Sequence, residues 1–346
     1  MDAPNAWLAY RLRWKRRRML FRIWRKRRQI TPIVNRTDLI SPDAILGFAC
    51  VRNEMLRLPM FLEHYRNLGV GHFLIVDNAS TDGTTQYLSD QPDVSLWQSE
   101  HSYKLSRFGM DWLGWLQWQY GHAHWCLTVD ADELLVYPHH DTQDLHSLTD
   151  WLDRQNQPMM GALMLDLYPK GVPEQQAFEA GDDPLSVLHW FDGTGYRHKT
   201  HQVFGNQWIQ GGARDRMFFA DEPLRAPTLN KTPLVKWHWR YVYITSTHHM
   251  LPKRLNGAFD WPQRQRLTGA LLHTKFLPDS AARSAEEKER KQHLENSALY
   301  KEYYEQLIAG VDMWTDTSVD YKDWRQLVDL SLISSGAWQP ELQEDA

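Results

Sequence analysis

A chain of 346 residues is long enough to bury the core of one large α/β domain or of two small ones. Its 42% hydrophobic and 24% charged residues are typical of a globular protein and exclude a mainly disordered chain. Two cysteines, Cys50 and Cys126, form neither a disulfide framework nor a zinc pattern, so we expect a reducing compartment.

The net charge of −4 is distributed unevenly along the chain. Residues 1–30 contain eleven Lys or Arg and a single acid, Asp2, which gives a formal charge of +10 and leaves −14 for the rest. The sequence has neither an apolar run that would span a bilayer nor the apolar core of a signal peptide. These features predict a cytoplasmic protein.

Residues 1–30 predict a basic amphipathic N-terminal segment, because apolar and aromatic residues alternate with Arg and Lys over residues 7–28. On a helix, four apolar residues fall along one stripe: Leu8, Leu12, Met19 and Ile23. Such a helix suits an anionic membrane surface, here the inner face of the membrane. The alternatives are a solvated basic tail and a helix packed on the acidic body. Nucleic acid is not an expected partner, because no recognised module follows.

Residues 31–43 contain two Pro residues, Pro32 and Pro42, and predict a linker. From residue 44 onward, short apolar runs alternate with patterns of helical spacing. The predicted strands are 45–51, 72–76, 94–97, 124–129 and 161–167, and the predicted helices are 58–68, 84–88 and 103–120. This alternation predicts a doubly wound, mainly parallel α/β sheet.

The pattern is weaker beyond residue 160. A further strand is predicted within residues 234–243, and a polar amphipathic helix is predicted over residues 284–308. We therefore divide the chain into four parts. They are the basic segment 1–30, the linker 31–43, an α/β domain over 44–280 and a C-terminal helical extension over 281–346.

Polar residues follow three of the predicted strands. They are Arg52-Asn53-Glu54 after the first strand, Asp77-Asn78 after the second, and Asp130-Ala131-Asp132-Glu133 after the strand at 124–129. Ligands of open parallel sheets bind beyond the carboxyl ends of the strands. We therefore expect one cleft to receive all three groups.

The acidic group at residues 130–133 is the strongest of the three signals. In extended chain, Asp130 and Asp132 point to the same side, and Ala131 leaves space beside them. Carboxylate oxygens are the ligands that Mg²⁺ or Mn²⁺ prefers, and such a cation neutralises the charge on a departing diphosphate. The alternative is an acidic turn that only leads the chain out of the sheet.

Asp77 and Asn78 have two interpretations. A carboxylate at this strand end accepts hydrogen bonds from a base or a ribose in other doubly wound nucleotide sites. Alternatively, Asp77 caps the helix that follows, with residues 80–83 supplying the turn. The two roles are compatible.

Together these motifs resemble those of family 2-like glycosyltransferases of the GT-A fold. The similar stretches are 48–54, 76–84 and 129–133, followed by 211–216, 229–235 and 271–276. The Asn53-Glu54 pair after the first strand and the Asp-Ala-Asp motif are most similar to one bacterial branch of that family. The resemblance covers residues 44–300, which makes residues 44–280 the predicted GT-A domain.

The resemblance implies that Asp77 contacts the nucleoside, that Asp130 and Asp132 hold the divalent cation, and that His273 completes its coordination. Guanidinium and ammonium groups bind phosphate well, which suggests donor-binding roles for several bases. The predicted substrate-binding residues are Arg52, Asn53, Glu54, Asp77, Asn78, Arg107, Arg214, Arg216 and Lys231.

The chain departs from the family pattern at the catalytic base. Family members commonly carry a Glu-Asp pair after a Gly-Gly segment, and no matching pair follows Gly211-Gly212 here. An inverting displacement needs a base, because the attacking hydroxyl loses its proton. Asp166 and Asp215 are the two candidates.

The expected reaction is a metal-dependent, inverting transfer of a sugar from a nucleotide-sugar donor, with UDP as the expected nucleotide. The acceptor is the hydroxyl of a glycan or of a lipid-linked molecule in cell-surface glycan assembly. One alternative is a nucleotidyltransferase of similar fold, although the Gly-rich basic loop that such enzymes carry after the first strand is absent from the sequence. The other is a non-catalytic membrane- or polysaccharide-binding protein whose tryptophans stack on sugars.

Overall fold

The computed structural model describes residues 6–261, 263–290 and 301–340. Its α-helices are α1 (Ala6–Lys26), α2 (Leu58–Asn67), α3 (Thr84–Ser89), α4 (Met110–Tyr120), α5 (Leu145–Arg154), α6 (Gly212–Phe218), α7 (Ser280–Arg290), α8 (Lys301–Ala309) and α9 (Trp324–Asp329). Its strands are β1 (Thr31–Val34), β2 (Ile45–Val51), β3 (Val70–Asp77), β4 (Val94–Gln98), β5 (Trp125–Thr128), β6 (Glu133–Val136), β7 (Met159–Asp166), β8 (Trp190–Asp192), β9 (Arg197–Thr200), β10 (Gln207–Gln210), β11 (Asn230–Lys236), β12 (Val242–Thr245), β13 (His249–Leu251), β14 (Thr268–His273) and β15 (Ser318–Asp320).

Within these residues, a nine-stranded sheet has the order β1-β4-β3-β2-β5-β11-β7-β14-β6. Strands β4, β3, β2, β5, β7 and β14 run in one direction, and β1, β11 and β6 run in the other. The structure thus confirms a mixed α/β fold with a large, mostly parallel central sheet. Pairs of short strands lie outside this sheet, namely β9–β10, β12–β13 and β8–β15.

Both faces of the sheet are covered by helices, which explains why a central strand such as β2 is apolar and buried along nearly its whole length. In β2, Ile45, Ala49 and Val51 pack with the apolar residues of α2 and α5 on one face. Leu46 and Phe48 point to the other face, where α4 covers them. The period of two along a strand therefore assigns each side chain to one of two cores.

The carboxyl ends of β2, β3, β5, β7 and β14 lie at one edge of the sheet. Strands β6 and β11 run in the opposite direction, so their amino-terminal residues lie at the same edge. His273 at the end of β14 pairs with Asp166 on one side and with Glu133, the first residue of β6, on the other. Lys231, near the start of β11, pairs with Ala162 of β7. This edge collects the chemically reactive side chains.

Helix α1 packs against the outer side of α4 and against β12. Its side chains Leu12 and Ile23 are buried there. A Cβ atom at Gly114 of α4 would lie 2.8 Å from Ile23 Cδ1, so glycine is what allows the two helices to approach. Arg22 of α1 also donates to the fully buried carboxylate of Asp111 at 2.7 Å.

The structure differs from the sequence-based elements in several places. The predicted helix over 103–120 is interrupted, because Arg107, Phe108 and Gly109 have positive φ angles of 55°, 57° and 75°, and α4 begins only after them. The predicted linker 31–43 contains edge strand β1, and residues 234–243 hold the ends of two strands, β11 and β12. The helix predicted over 284–308 corresponds to α7 and α8, and residues 291–300 lie outside the described residues.

None of the helices in the described part of the chain combines the length and the hydrophobicity that a membrane crossing needs.

Candidate functional site

A cavity of about 640 Å³ opens at the carboxyl edge of the sheet. Three sets of predicted residues line it, one from each polar strand end, as the sequence analysis expected: Arg52, Asn53, Glu54, Asn78, Asp130, Asp132 and Glu133. The predicted residues Arg214, Lys231 and His273 line it as well. The volume lies in the range of small-molecule sites, which is about 300–1,000 Å³.

Lys231 joins two of the acidic residues. Its ammonium group donates to Asp130 Oδ2 at 2.9 Å and also to Glu133 Oε1. Burial by itself lowers the pKa of Lys231, but the two carboxylates outweigh it and raise that pKa above its ordinary value. Lys231 is therefore a fixed positive charge. The Asp130 side chain stays 48% exposed toward the cavity, whereas burial raises the pKa of Glu133 to about 7.

His273 lies between two carboxylates. Its Nδ1 is 2.7 Å from Asp166 Oδ1, and its Nε2 is 3.3 Å from Asp132 Oδ2. Burial lowers the pKa of His273, but Asp132 and Asp166 act against it and raise the pKa above 6.5. Despite burial, His273 and neighbouring arginines hold the pKa of Asp132 well below its ordinary value.

Asp166 is held by two partners, which bears on its predicted role as a base. Arg214 Nε donates to Asp166 Oδ2 at 2.7 Å, and His273 contacts the other oxygen. Burial raises the pKa of Asp166, but Arg214 and His273 lower it to about 2. A carboxylate with so low a pKa is a poor proton acceptor at neutral pH. The role of Asp166 as the base remains a prediction, and its contacts hold it against Arg214 and His273.

The donor atoms at this edge suit a divalent cation in their chemistry. Asp130 and Asp132 offer carboxylate oxygens, and an imidazole whose Nδ1 is bound by a carboxylate presents its Nε2 as a metal ligand. The arrangement of these side chains fits a cation less well than their chemistry does. Among the described residues, no group of three or more His, Cys, Asp or Glu side chains is arranged to hold a metal ion. One oxygen of Asp130 is bound by Lys231, and Asp132 lies against His273.

Helix α7 covers part of the cavity, although residues 281–346 were predicted to be an extension outside the domain. Arg283 of α7 donates to both carboxylate oxygens of Glu54. Burial raises the pKa of Glu54 in spite of Arg283. In the same way, Arg52 Nε donates to Glu286 Oε1 of α7 at 2.9 Å. The segment after β2 and this helix therefore form one wall.

The N-cap of α3 is Gly83 and has no side-chain hydrogen bond. Asp77 lies in the turn before it. Its side chain is fully buried and accepts hydrogen bonds from the Ser80 backbone N–H at 3.0 Å and from the hydroxyls of Ser80 and Thr85. These contacts fix the turn into α3. Asn78, by contrast, lines the cavity, and its amide donates to the carbonyl oxygens of Ser99 and His101. Contact of Asp77 with a nucleoside remains a prediction.

Besides Asp77 and Asp166, three more of the predicted residues do not line the cavity. Arg107 pairs with Asp111 and donates to the Tyr243 carbonyl. Arg216 pairs with Asp192, and Asp215 pairs with Arg197. The pairs of Arg216 and Asp215 join α6 to β8 and to β9, whereas Arg107 and Asp111 are only four residues apart. Their predicted roles in substrate binding and catalysis therefore remain predictions with no contact to the cavity.

Several residues that line the cavity were missed by the sequence analysis. Aromatic side chains from distant segments contribute Tyr103, Phe108, Trp208 and Tyr303, and the polar additions include His248, Lys275 and Arg283. Their spacing in the sequence carries no signal for a shared site. Only the break before α4, marked by Gly109, gave a local indication that Tyr103 and Phe108 leave the helix.

Comparison with known proteins identifies no family. No model of a known protein family matches the chain, and no curated protein matches it. One solved structure with partial similarity is described as a glucose-1-phosphate thymidylyltransferase from Bacillus anthracis in complex with a sucrose. It shares 13% identity and a TM-score of 0.26, over 40% of this chain and 65% of that chain, which is less than two thirds of its length. At this level, the similarity adds nothing to the assignment of fold or function.

Proposed function

We propose that this protein is a metal-dependent glycosyltransferase that uses a nucleotide-sugar donor. The observation that carries the proposal is the group formed by Asp130, Asp132 and His273 at the carboxyl edge of a mostly parallel sheet, beside the fixed cation Lys231. Ligands of such sheets bind at this edge. A cavity of about 640 Å³ has room for a nucleotide-sugar.

In the proposed site, Asp132 and His273 would hold a Mn²⁺ or Mg²⁺ ion together with Asp130. Such a cation, when bound, stabilises the negative charge that develops on a departing diphosphate. Asp166 orients His273 through Nδ1, and this leaves Nε2 on the side of Asp132, where it would serve as a ligand. Lys231, Arg214 and Arg283 place positive charge around the cavity, and each is paired with a carboxylate of the site.

The second transferase class that the sequence left open, nucleotidyl transfer, uses the same kind of acidic metal site. The segment after β2 distinguishes the two. A nucleotidyltransferase is expected to cradle triphosphate with a Gly-rich basic loop at that position. Here the segment is Arg52-Asn53-Glu54, and its Arg52 and Glu54 are bound to side chains of α7. This favours glycosyl transfer.

The test is release of UDP from a panel of UDP-sugars by the purified chain with Mn²⁺. We expect slow release of UDP that is abolished by chelator. Asp132→Asn should lower the rate by about 100-fold or more, which is the size of effect seen when a group that stabilises charge in a transition state is removed. Asp90→Asn serves as the control, because Asp90 is an exposed acid at the end of α3 and outside the cavity. It should retain full activity.

Three other results would contradict the proposal. Full activity of Asp132→Asn, or of the protein with chelator, removes the metal from the mechanism. Release of pyrophosphate from a nucleoside triphosphate and a sugar phosphate identifies a nucleotidyltransferase. Binding of glycans without turnover of any nucleotide-sugar identifies a non-catalytic binding protein.

A further inference from the structure

Helix α1 has two faces with different surroundings. The face that holds Leu12 and Ile23 is buried against the body, and Leu8 and Met19 are partly buried beside them. The stripe that the sequence analysis assigned to a membrane is therefore occupied by the protein itself. The opposite face carries five exposed aromatic side chains: Trp7 (66% exposed), Tyr10 (50%), Trp14 (53%), Phe21 (58%) and Trp24 (40%). At 3.6 residues per turn, these five fall within about 100° of the helix circumference.

Exposed arginines flank this aromatic face. They are Arg11, Arg13, Arg17, Arg18 and Arg25 of α1. Helix α1 contains no acidic residue. The guanidinium of Arg17 lies 5.6 Å from the ring centre of Trp14, and that of Arg27 lies 4.1 Å from the ring centre of Trp24. The surface thus combines large aromatic side chains with charge of a single sign.

We propose that this aromatic face of α1 binds the surface of an anionic lipid bilayer. Indole and phenol rings settle at the level of the lipid headgroups, and arginines reach the phosphates while their stems remain on apolar surface. An interfacial helix of this kind gains both from buried apolar area and from attraction to anionic lipid. The inner, packed face of α1 keeps the helix fixed to the body, so the whole protein is held at the bilayer.

Charge argues against a second copy of this chain as the occupant. Two α1 helices placed face to face would bring two segments of formal charge +10 together, and like charges at contact distance repel. An anionic bilayer supplies the opposite charge along the whole helix. The exposed aromatic side chains run from Trp7 to Trp24, over about five turns of helix.

The position of α1 connects this surface to the cavity. Arg22 donates to the carbonyl of Leu105 at 2.6 Å, in the segment whose Tyr103 and Phe108 line the cavity. Arg107 of the same segment donates to the carbonyl of Tyr243 in β12, the strand that also packs on α1. This step rests on the proposed function: a lipid-linked acceptor would enter the cavity directly from the bilayer surface.

The test is co-sedimentation of the full chain with vesicles of phosphatidylcholine alone and of phosphatidylcholine with one quarter phosphatidylglycerol. We expect binding to the anionic vesicles that weakens as salt is raised, because screening shortens the reach of charge to about 10 Å at 0.1 M. The double variant Arg17→Gln, Arg18→Gln should bind about fivefold more weakly for each base removed. The double variant Trp14→Ser, Phe21→Ser should lose most of the binding.

Two comparisons make the test specific. Leu39→Ser removes an apolar side chain that is 66% exposed outside α1, and it should bind as the wild type does. The aromatic variant should keep the wild-type melting temperature and the wild-type release of UDP from a soluble donor. Vesicle binding is measured without turnover, so its failure and the failure of the proposed function are seen separately.

Three outcomes would overturn the membrane proposal. The first is absence of binding to anionic vesicles, and the second is equal binding of the aromatic variant and the wild type. The third is a concentration-dependent dimer, seen by sedimentation velocity, that the aromatic variant abolishes. That result would assign the surface to a second copy of the chain.

Discussion

At the scale of single residues, the arrangement around His273 is the most informative. His273 contacts one carboxylate through each ring nitrogen, and Asp132 and Asp166 raise its pKa above the ordinary value despite burial. If the proposed cation binds, His273 would be a neutral ligand, and Asp166 would hold its Nδ1–H. Asp166 is itself buried, paired with Arg214 and held at a low pKa.

The first prediction concerns Asp166. The change Asp166→Asn removes the charge that orients His273, and we expect Mn²⁺ affinity to fall by about 10- to 100-fold, as for loss of other residues that support metal ligands. Isothermal titration calorimetry measures this directly. Asp192→Asn is the matched control, because it breaks a comparable arginine pair outside the cavity and should leave Mn²⁺ affinity unchanged. Equal affinities of Asp166→Asn and the wild type would contradict the positioning role.

At the scale of elements, α1 shows how one helix serves two purposes. Its inner face belongs to the core, where Gly114 of α4 makes room for Ile23. Its outer face is free for a partner. Removing the whole helix would therefore expose apolar surface of α4 and β12 and would test folding, not membrane binding. Point substitutions on the two faces separate the two roles.

The second prediction uses this difference between the faces. Leu12→Ala should lower the free energy of unfolding by about 2–4 kcal/mol, because it empties a buried site. Gly114→Ala should be destabilising as well, because its new methyl group would meet Ile23 Cδ1. Phe21→Ala, on the exposed face of the same helix, should change the unfolding free energy by less than about 0.5 kcal/mol. Urea denaturation measures all three. Equal effects on both faces would show that α1 is not docked as described.

At the scale of the whole molecule, one buried and two half-buried histidines link stability to pH. Burial lowers the pKa of His64 and of His248 to about 4, and that of His249 to about 3, from an ordinary value of 6.5. The unfolded chain therefore binds protons between about pH 6.5 and pH 4 that the folded protein does not. The sign follows directly: these groups make stability fall as pH decreases through this window and leave it unchanged above it.

The third prediction follows from that linkage. The urea unfolding free energy should decrease as pH falls from about 6.5 to 4, and the decrease should continue below pH 4 as the carboxylate of Asp166 becomes protonated. His64→Gln keeps a side-chain donor for the Leu135 carbonyl but does not titrate, so it should reduce the slope between pH 6.5 and 4. His122→Gln changes an exposed histidine and should leave that slope as it is in the wild type. A slope that is the same in all three proteins would exclude His64 as a contributor.

Much of the fold was predictable because it is encoded locally. The apolar runs at β2, β3, β4 and β5 are complete within a few residues, and the polar residues that follow them mark the strand ends. Once the strands are parallel, their ends meet at one edge, so Glu54, Asp130 and Asp132 come together by topology alone. For this reason Asp130 and Asp132 were the part of the site that was easiest to predict from the sequence.

The sequence was sufficient to predict the α/β class, the central parallel strands and the polar strand ends, whose residues other than Asp77 line the cavity. Which charges pair depends on the tertiary fold, since Lys231 and Asp130 are 101 positions apart in the sequence and Arg283 and Glu54 are 229 apart. The tertiary fold also buries Asp77 within a turn and leaves the aromatic face of α1, not its aliphatic stripe, exposed. The physical reason is the range of the interactions. Period and strand-end chemistry depend on neighbours in sequence, whereas burial and ion pairing depend on segments that only folding brings together.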